Sequence, residues 1–176
     1  MAKKKSVEIK VESKSKVEDK GQDSNVSTNS NSKFKSISKI IVGVDEAGRG
    51  PVLGPLVIAA LAVKEENQKK LEWLGVKDSK LLSSEVREQL FDRIRELVED
   101  FRVEMIEPDA IDLSLAESNL NWLEADTAAR MVSEMKCDKV ILDCPSPNIP
   151  ASTNYFKAKL SDDIMGKVEV VVENKA

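Results

Sequence analysis

The chain has 176 residues, 41% of them hydrophobic and 33% charged, enough to bury one sizeable core, and it predicts one domain rather than two. It carries a net charge of −4, two cysteines and no histidine. These features exclude a disulfide framework, a zinc cluster and every serine–histidine or cysteine–histidine nucleophile, so any chemistry must rest on carboxylates, Lys, Arg, Ser, Cys or the lone Tyr155.

The charge is unevenly spread. Residues 1–36 hold nine Lys against five acidic residues, a balance of +4, while the remainder holds 18 basic against 26 acidic residues, a balance of −8. The first 36 residues are rich in Lys, Ser, Asn and Asp, and such a segment buries too little apolar surface to offset its ordering entropy. Composition therefore predicts a disordered tail over 1–36, with one weak strand signal where Val7, Ile9 and Val11 alternate with charged residues. No apolar run reaches the length of a membrane span, and the lysine-rich N-terminus lacks the apolar region of a secretory signal. The expectation is a cytoplasmic monomer with no membrane partner.

The folded part is expected over 37–176. Ile40 to Val44 is a short apolar run ending in Asp45-Glu46, which reads as a buried strand. Gly48, Gly50, Pro51 and Gly54 then turn the chain, and Leu56 to Val63 forms a second strand antiparallel to the first. Ser83 is placed to cap a helix whose apolar face runs through Val86, Leu90, Ile94, Leu97 and Phe101. Phe101 to Ile106 reads as a strand. Leu120, Leu123, Ala128, Met131, Val132 and Met135 mark a second amphipathic helix. Val140-Ile141-Leu142 is a strand ending in Asp143, Ser152 to Leu160 a short helix, and Val168 to Val172 a last strand. This order predicts an α/β domain with a mixed sheet and helices packed on it, in which ligands gather beyond the carboxyl ends of strands.

Asp45, Glu46 and Asp143 all fall at such ends. Neighbouring side chains on a pleated strand point to opposite faces, so Asp45 and Glu46 share one site only if the strand ends there. Converging carboxylates repel unless a cation sits between them, and without histidine or paired cysteine the natural filler is a hard ion such as Mg²⁺ or Mn²⁺. The bland alternative is a helix cap or a solvated turn acid. Gly48-Arg49-Gly50 suits an anion-binding turn, with an Arg side chain free to meet substrate; as a bare Gly-Xaa-Gly an ordinary turn with a surface Arg is the better reading.

The longer string is more specific. Gly43-Val44-Asp45-Glu46-Ala47-Gly48-Arg49-Gly50-Pro51-Val52-Leu53-Gly54-Pro55 resembles the signature of the ribonuclease HII family, the archaeal and bacterial type 2 ribonucleases H. Lys77-Asp78-Ser79-Lys80-Leu81, Asn119-Leu120-Asn121 through Ala125-Asp126, Val140 to Asp143, and Glu173 to Ala176 resemble further family segments in the same order, so the resemblance covers roughly residues 38–176. It implies a ribonuclease H-like fold, a mixed five-stranded sheet flanked by helices. It also implies cleavage of the RNA strand of RNA–DNA hybrids, incision of DNA at embedded ribonucleotides, and catalysis by two Mn²⁺ or Mg²⁺ ions. By the same resemblance Asp45, Glu46 and Asp143 are catalytic metal-binding carboxylates. Gly48, Arg49 and Gly50 grip the substrate backbone and sense the 2′-OH, which distinguishes RNA from DNA, and Lys80 contacts a phosphate. The family places a fourth carboxylate just after position 176, followed by helices and a tyrosine at the substrate's sugar. The domain is thus expected to be C-terminally incomplete, and the alternative function is a hybrid-binding module that does not cut.

Overall fold

The computed structural model describes residues 10–13, 38–49, 53–117, 119–144, 146 and 148–173. In chain order the elements are β1 (Lys10–Ser13), β2 (Ile40–Ala47), β3 (Leu56–Lys64), α1 (Gln68–Trp73), α2 (Ser84–Leu97), β4 (Asp100–Ile106), α3 (Pro108–Glu117), α4 (Leu120–Ser133), β5 (Lys139–Asp143), α5 (Ile149–Lys159) and β6 (Glu169–Glu173). The sheet order is β1-β4-β3-β2-β5-β6. β2, β3 and β4 form an antiparallel meander, while β5 and β6 run parallel to β2 on its other side. The five strands β2 to β6 are the expected mixed sheet with its flanking helices.

β1 adds a sixth, edge strand, antiparallel to β4. This departs from the reading of 1–36 as disordered throughout, because four of those residues pair into the sheet. Val11 of the alternating stretch lies in that strand, whereas Val7, Ile9 and the rest of 1–36 lie outside the described residues.

Alternation positions the core. In β3, Leu56, Ile58, Ala60 and Ala62 are buried on one face while Val57, Ala59 and Leu61 between them are half-exposed. Strand pairing brings Val42 of β2 and Val140 of β5 to the same face, both fully buried, and α4 covers them with Ala128, Ala129, Met131 and Val132. Phe156 of α5 completes the cluster. Each such aliphatic or aromatic side chain contributes about 1.5–3 kcal/mol on burial.

Local chemistry sets the helix starts. Ser83 Oγ accepts from Val86 N–H at 3.4 Å, Asn119 Oδ1 from Trp122 N–H at 3.2 Å, and Asn148 Oδ1 from Ala151 N–H at 3.2 Å. The last of these starts α5 at Ile149, three residues before the expected Ser152. Phe101, counted with the α2 face, belongs to β4 instead, because the chain turns extended at Val98. Helices α1 and α3 were not legible as elements: α1 has six residues and buries none of them, and α3 starts at Pro108 with only a weak apolar stripe. Both cysteines are free, and among the described residues no helix is long and apolar enough to cross a membrane.

Candidate active site

The parallel register pairs Val44 with Leu142, one residue before Asp45 and Asp143, so the two acids lie abreast where the β2–β5 pairing ends. β2 has an antiparallel neighbour, β3, on one side and a parallel neighbour, β5, on the other. An open cleft lies there, lined by Asp45, Glu46 and Asp143 from the strands and by Asn121, Trp122, Glu124 and Ser152 from α4 and α5.

β2 does not end at Asp45. It continues to Ala47, and its alternation persists, with Asp45 exposed, Glu46 half-buried and Ala47 exposed. Asp45 and Glu46 therefore leave the strand toward opposite faces of the pleat, Glu46 on the face that α4 covers. The backbone N–H of Glu46 donates to Asp45 Oδ1 at 3.0 Å. Burial raises the Glu46 carboxyl above its ordinary range, and Asp45 and Asp143 push it the same way, while Arg49 opposes them. All three side chains offer oxygen atoms, the kind of donor a hard cation prefers. Even so, no group of three acidic, histidine or cysteine side chains among the described residues forms a ready-made metal cluster.

The Arg49 guanidinium is already partnered within the fold. Its Nη1 donates to Glu124 Oε2 at 2.9 Å and its Nη2 donates to Asn121 Oδ1, so its guanidinium forks onto two residues of α4. Its side chain keeps 29% of its exposure. Gly48 has φ +89°, and a Cβ there would lie 2.4 Å from the Pro55 carbonyl oxygen. A glycine is required on both counts, conformation and space. Gly50 lies outside the described residues. Lys80 is exposed in a short 3₁₀ turn, Ser79–Leu81, whose start Asp78 caps by accepting from Lys80 N–H at 2.9 Å. It does not line the cleft.

Sequence reasoning missed Asn121 and Glu124, which sit on α4 amid its apolar stripe. Glu124 is 8% exposed, its Oε1 has no hydrogen-bond partner, and burial pushes its carboxyl up to about 7, with Arg49 pulling it down and Glu46 pushing it up. The available signal was two polar residues three apart on a helix that otherwise buries Ala128, Met131 and Val132. Trp122 stacks on Tyr155 of α5, with ring centroids 4.0 Å apart and a tilt of 34°, and closes the wall of the cleft.

The sequence profile of the family Ribonuclease HII matches residues 42–176. The chain belongs to the ribonuclease HII family. A ribonuclease HII of Methanococcus maripaludis (strain C5) is 39% identical over 155 residues, covering 86% of this chain and 63% of that protein. One from Thermococcus onnurineus is 41% identical over 138 residues, covering 77% and 58%. In structure, the ribonuclease H2 of Pyrococcus horikoshii superposes with a TM-score of 0.70 at 34% identity, covering 78% of this chain and 63% of the other. The chain thus spans a little under two thirds of the length of these ribonuclease HII relatives. The matched stretch contains Asp45, Glu46, Gly48, Arg49, Gly50, Lys80 and Asp143, all of the residues expected from sequence.

Proposed function

We propose that this domain is the catalytic part of a metal-dependent endonuclease that hydrolyses the RNA strand of RNA–DNA hybrids and incises DNA at embedded ribonucleotides. The observation that carries this reading is the β2–β5 register, which sets Asp45 and Asp143 side by side in a cleft shared with Glu46. Membership of the family supports the reaction class, hydrolysis of a phosphodiester.

Asp45, Glu46 and Asp143 would hold Mn²⁺ or Mg²⁺, ions that when bound as a pair supply an activated water and charge neutralisation at the leaving oxygen. The protein's own part is distributed around that centre. Asp45 and Asp143 present carboxylates from adjacent strand ends. Glu46 would add a third carboxylate from the face that α4 covers, raised above the ordinary glutamate range by burial and by Asp45 and Asp143. The Gly48–Gly50 turn approaches the ribose and reads its 2′-OH, with glycine backbone allowing close contact. Trp122, backed by its stack on Tyr155, lines the cleft with apolar surface. Lys80, outside the cleft, would meet a phosphate further along the duplex. The protein works as a cytoplasmic monomer on this reading.

The test is cleavage of a labelled RNA–DNA hybrid, and of a DNA duplex with one embedded ribonucleotide, under titration with Mn²⁺ and with Mg²⁺. Metal-dependent cuts that vanish in Asp143→Asn support the reading. Binding of hybrid with no cut under either ion overturns it in favour of a binding module.

A further inference from the structure

We infer that Glu124 and Asn121 are positioning residues: they hold the Arg49 guanidinium on α4 and thereby fix the Gly48–Arg49 turn against the cleft. This deepens the proposed function and rests on it. The geometry is a fork. Two nitrogens of one planar guanidinium donate to acceptors on two residues three apart, which is the spacing of neighbours on a helix face. A single-point contact leaves a turn free to swing, whereas two fixed points define the direction of the side chain and of the backbone that carries it.

Stability alone does not call for this arrangement. Glu124 is buried, and one of its two carboxylate oxygens has no hydrogen bond. A buried ion pair of this kind is often replaceable by apolar residues at no loss, because desolvation offsets the Coulomb gain. Around it the ordinary means of packing are in place: Ala128, Ala129 and Val132 of the same helix already bury α4 on the sheet. What Glu124 and Asn121 add is a link from the α4–sheet body to a turn in which Gly48 leaves no room for a side chain beside the Pro55 carbonyl. The turn is therefore gripped from two sides, by backbone crowding at Gly48 and by the fork at Arg49. Glu124 also lines the same cleft as Asp45, Glu46 and Asp143, so a shift of the turn is a shift of the cleft wall.

A double-mutant cycle tests this. Arg49→Ala, Glu124→Ala and the double variant are assayed for cleavage at a single embedded ribonucleotide, with Glu124→Gln as the conservative variant. A displacement of the turn by about 1 Å lowers kcat by roughly 100-fold. Each single variant is expected to show a loss of that order, with KM for the duplex nearly unchanged. The double variant should lose no more than either single one, since Glu124 acts through Arg49. Glu124→Gln keeps an acceptor for the fork and should recover most of the rate. Multiplying losses in the double variant, or a Glu124→Ala enzyme with the wild-type rate, overturns the inference. If Glu124→Ala does not fold, Glu124→Gln against Arg49→Lys decides: a lysine cannot fork, so Arg49→Lys must lose rate while Glu124→Gln keeps it, and equal rates refute the proposal. Failure of the wild-type chain to cut any substrate would instead count against the proposed function.

Discussion

Replacing Gly48 by alanine places a methyl group where the structure has none to spare. The new Cβ would sit 2.4 Å from the Pro55 carbonyl oxygen, 3.5 Å from its carbon and 3.6 Å from Leu56 Cα, all backbone atoms with little freedom to retreat. The residue also sits at φ +89°, a region that costs a side-chain-bearing residue about 1–2 kcal/mol. Crowding of this kind adds about 1–3 kcal/mol. Gly75 separates the two effects, because it has φ +85° but open space around its absent Cβ. Gly75→Ala should therefore cost only the conformational part, and Gly48→Ala that part plus the crowding, about 2–5 kcal/mol in all. In a chain of this size each kcal/mol moves Tm by about 2–4 °C, so the difference is measurable by thermal melting and by urea titration. The ribonucleotide-dependent cut should fall in Gly48→Ala and hold in Gly75→Ala. If the two variants lose stability equally, to within about 0.5 kcal/mol, the crowding argument is wrong and the turn is not held where the structure puts it.

Asp143 is exposed at the end of β5, so Asp143→Asn should change stability by no more than about 0.5 kcal/mol while abolishing cleavage, read by circular dichroism beside a hybrid assay. Divalent cation should raise the Tm of the wild type by mass action, about 2.7 kcal/mol of stabilisation at 100 times Kd, and raise that of Asp143→Asn much less; equal shifts would remove Asp143 from the metal site. Glu124 titrates in the folded chain at about 7 against an ordinary 4.5, so between these values the folded state holds the extra proton and stability falls as pH rises, by at most about 1.4 kcal/mol per unit. Glu124→Gln cannot titrate, and its denaturation midpoint should depend less on pH between about 5 and 7 than that of the wild type, leaving the smaller slope of the same sign that Glu46 contributes.

The sequence by itself determined the strands and their chemistry. Ile40 to Val44, Leu56 to Val63 and Val140 to Leu142 are short apolar runs that read as buried strands, and the acids that close two of those runs were a candidate site that only the longer Gly43–Pro55 resemblance made specific. Helices with a strong stripe and a capping residue, α2 and α4, were equally plain. Tertiary structure decided the rest. Whether β2 stops at Asp45 or runs on to Ala47 depends on the Glu46–Ile58 and Ala47–Val57 pairs with β3, partners that lie a dozen residues away or nearly so and leave no mark on Asp45-Glu46 itself. The edge position of Lys10–Ser13 depends on an exposed flank of β4 that composition does not reveal. Above all, Arg49 reads in sequence as a free cation between glycines. Only the fold brings α4 across the sheet, 72 and 75 residues on, to set Asn121 and Glu124 against it. A side chain's type follows from its codon, but its partner follows from chain crossings, and the energy of a buried charge is decided by the partner.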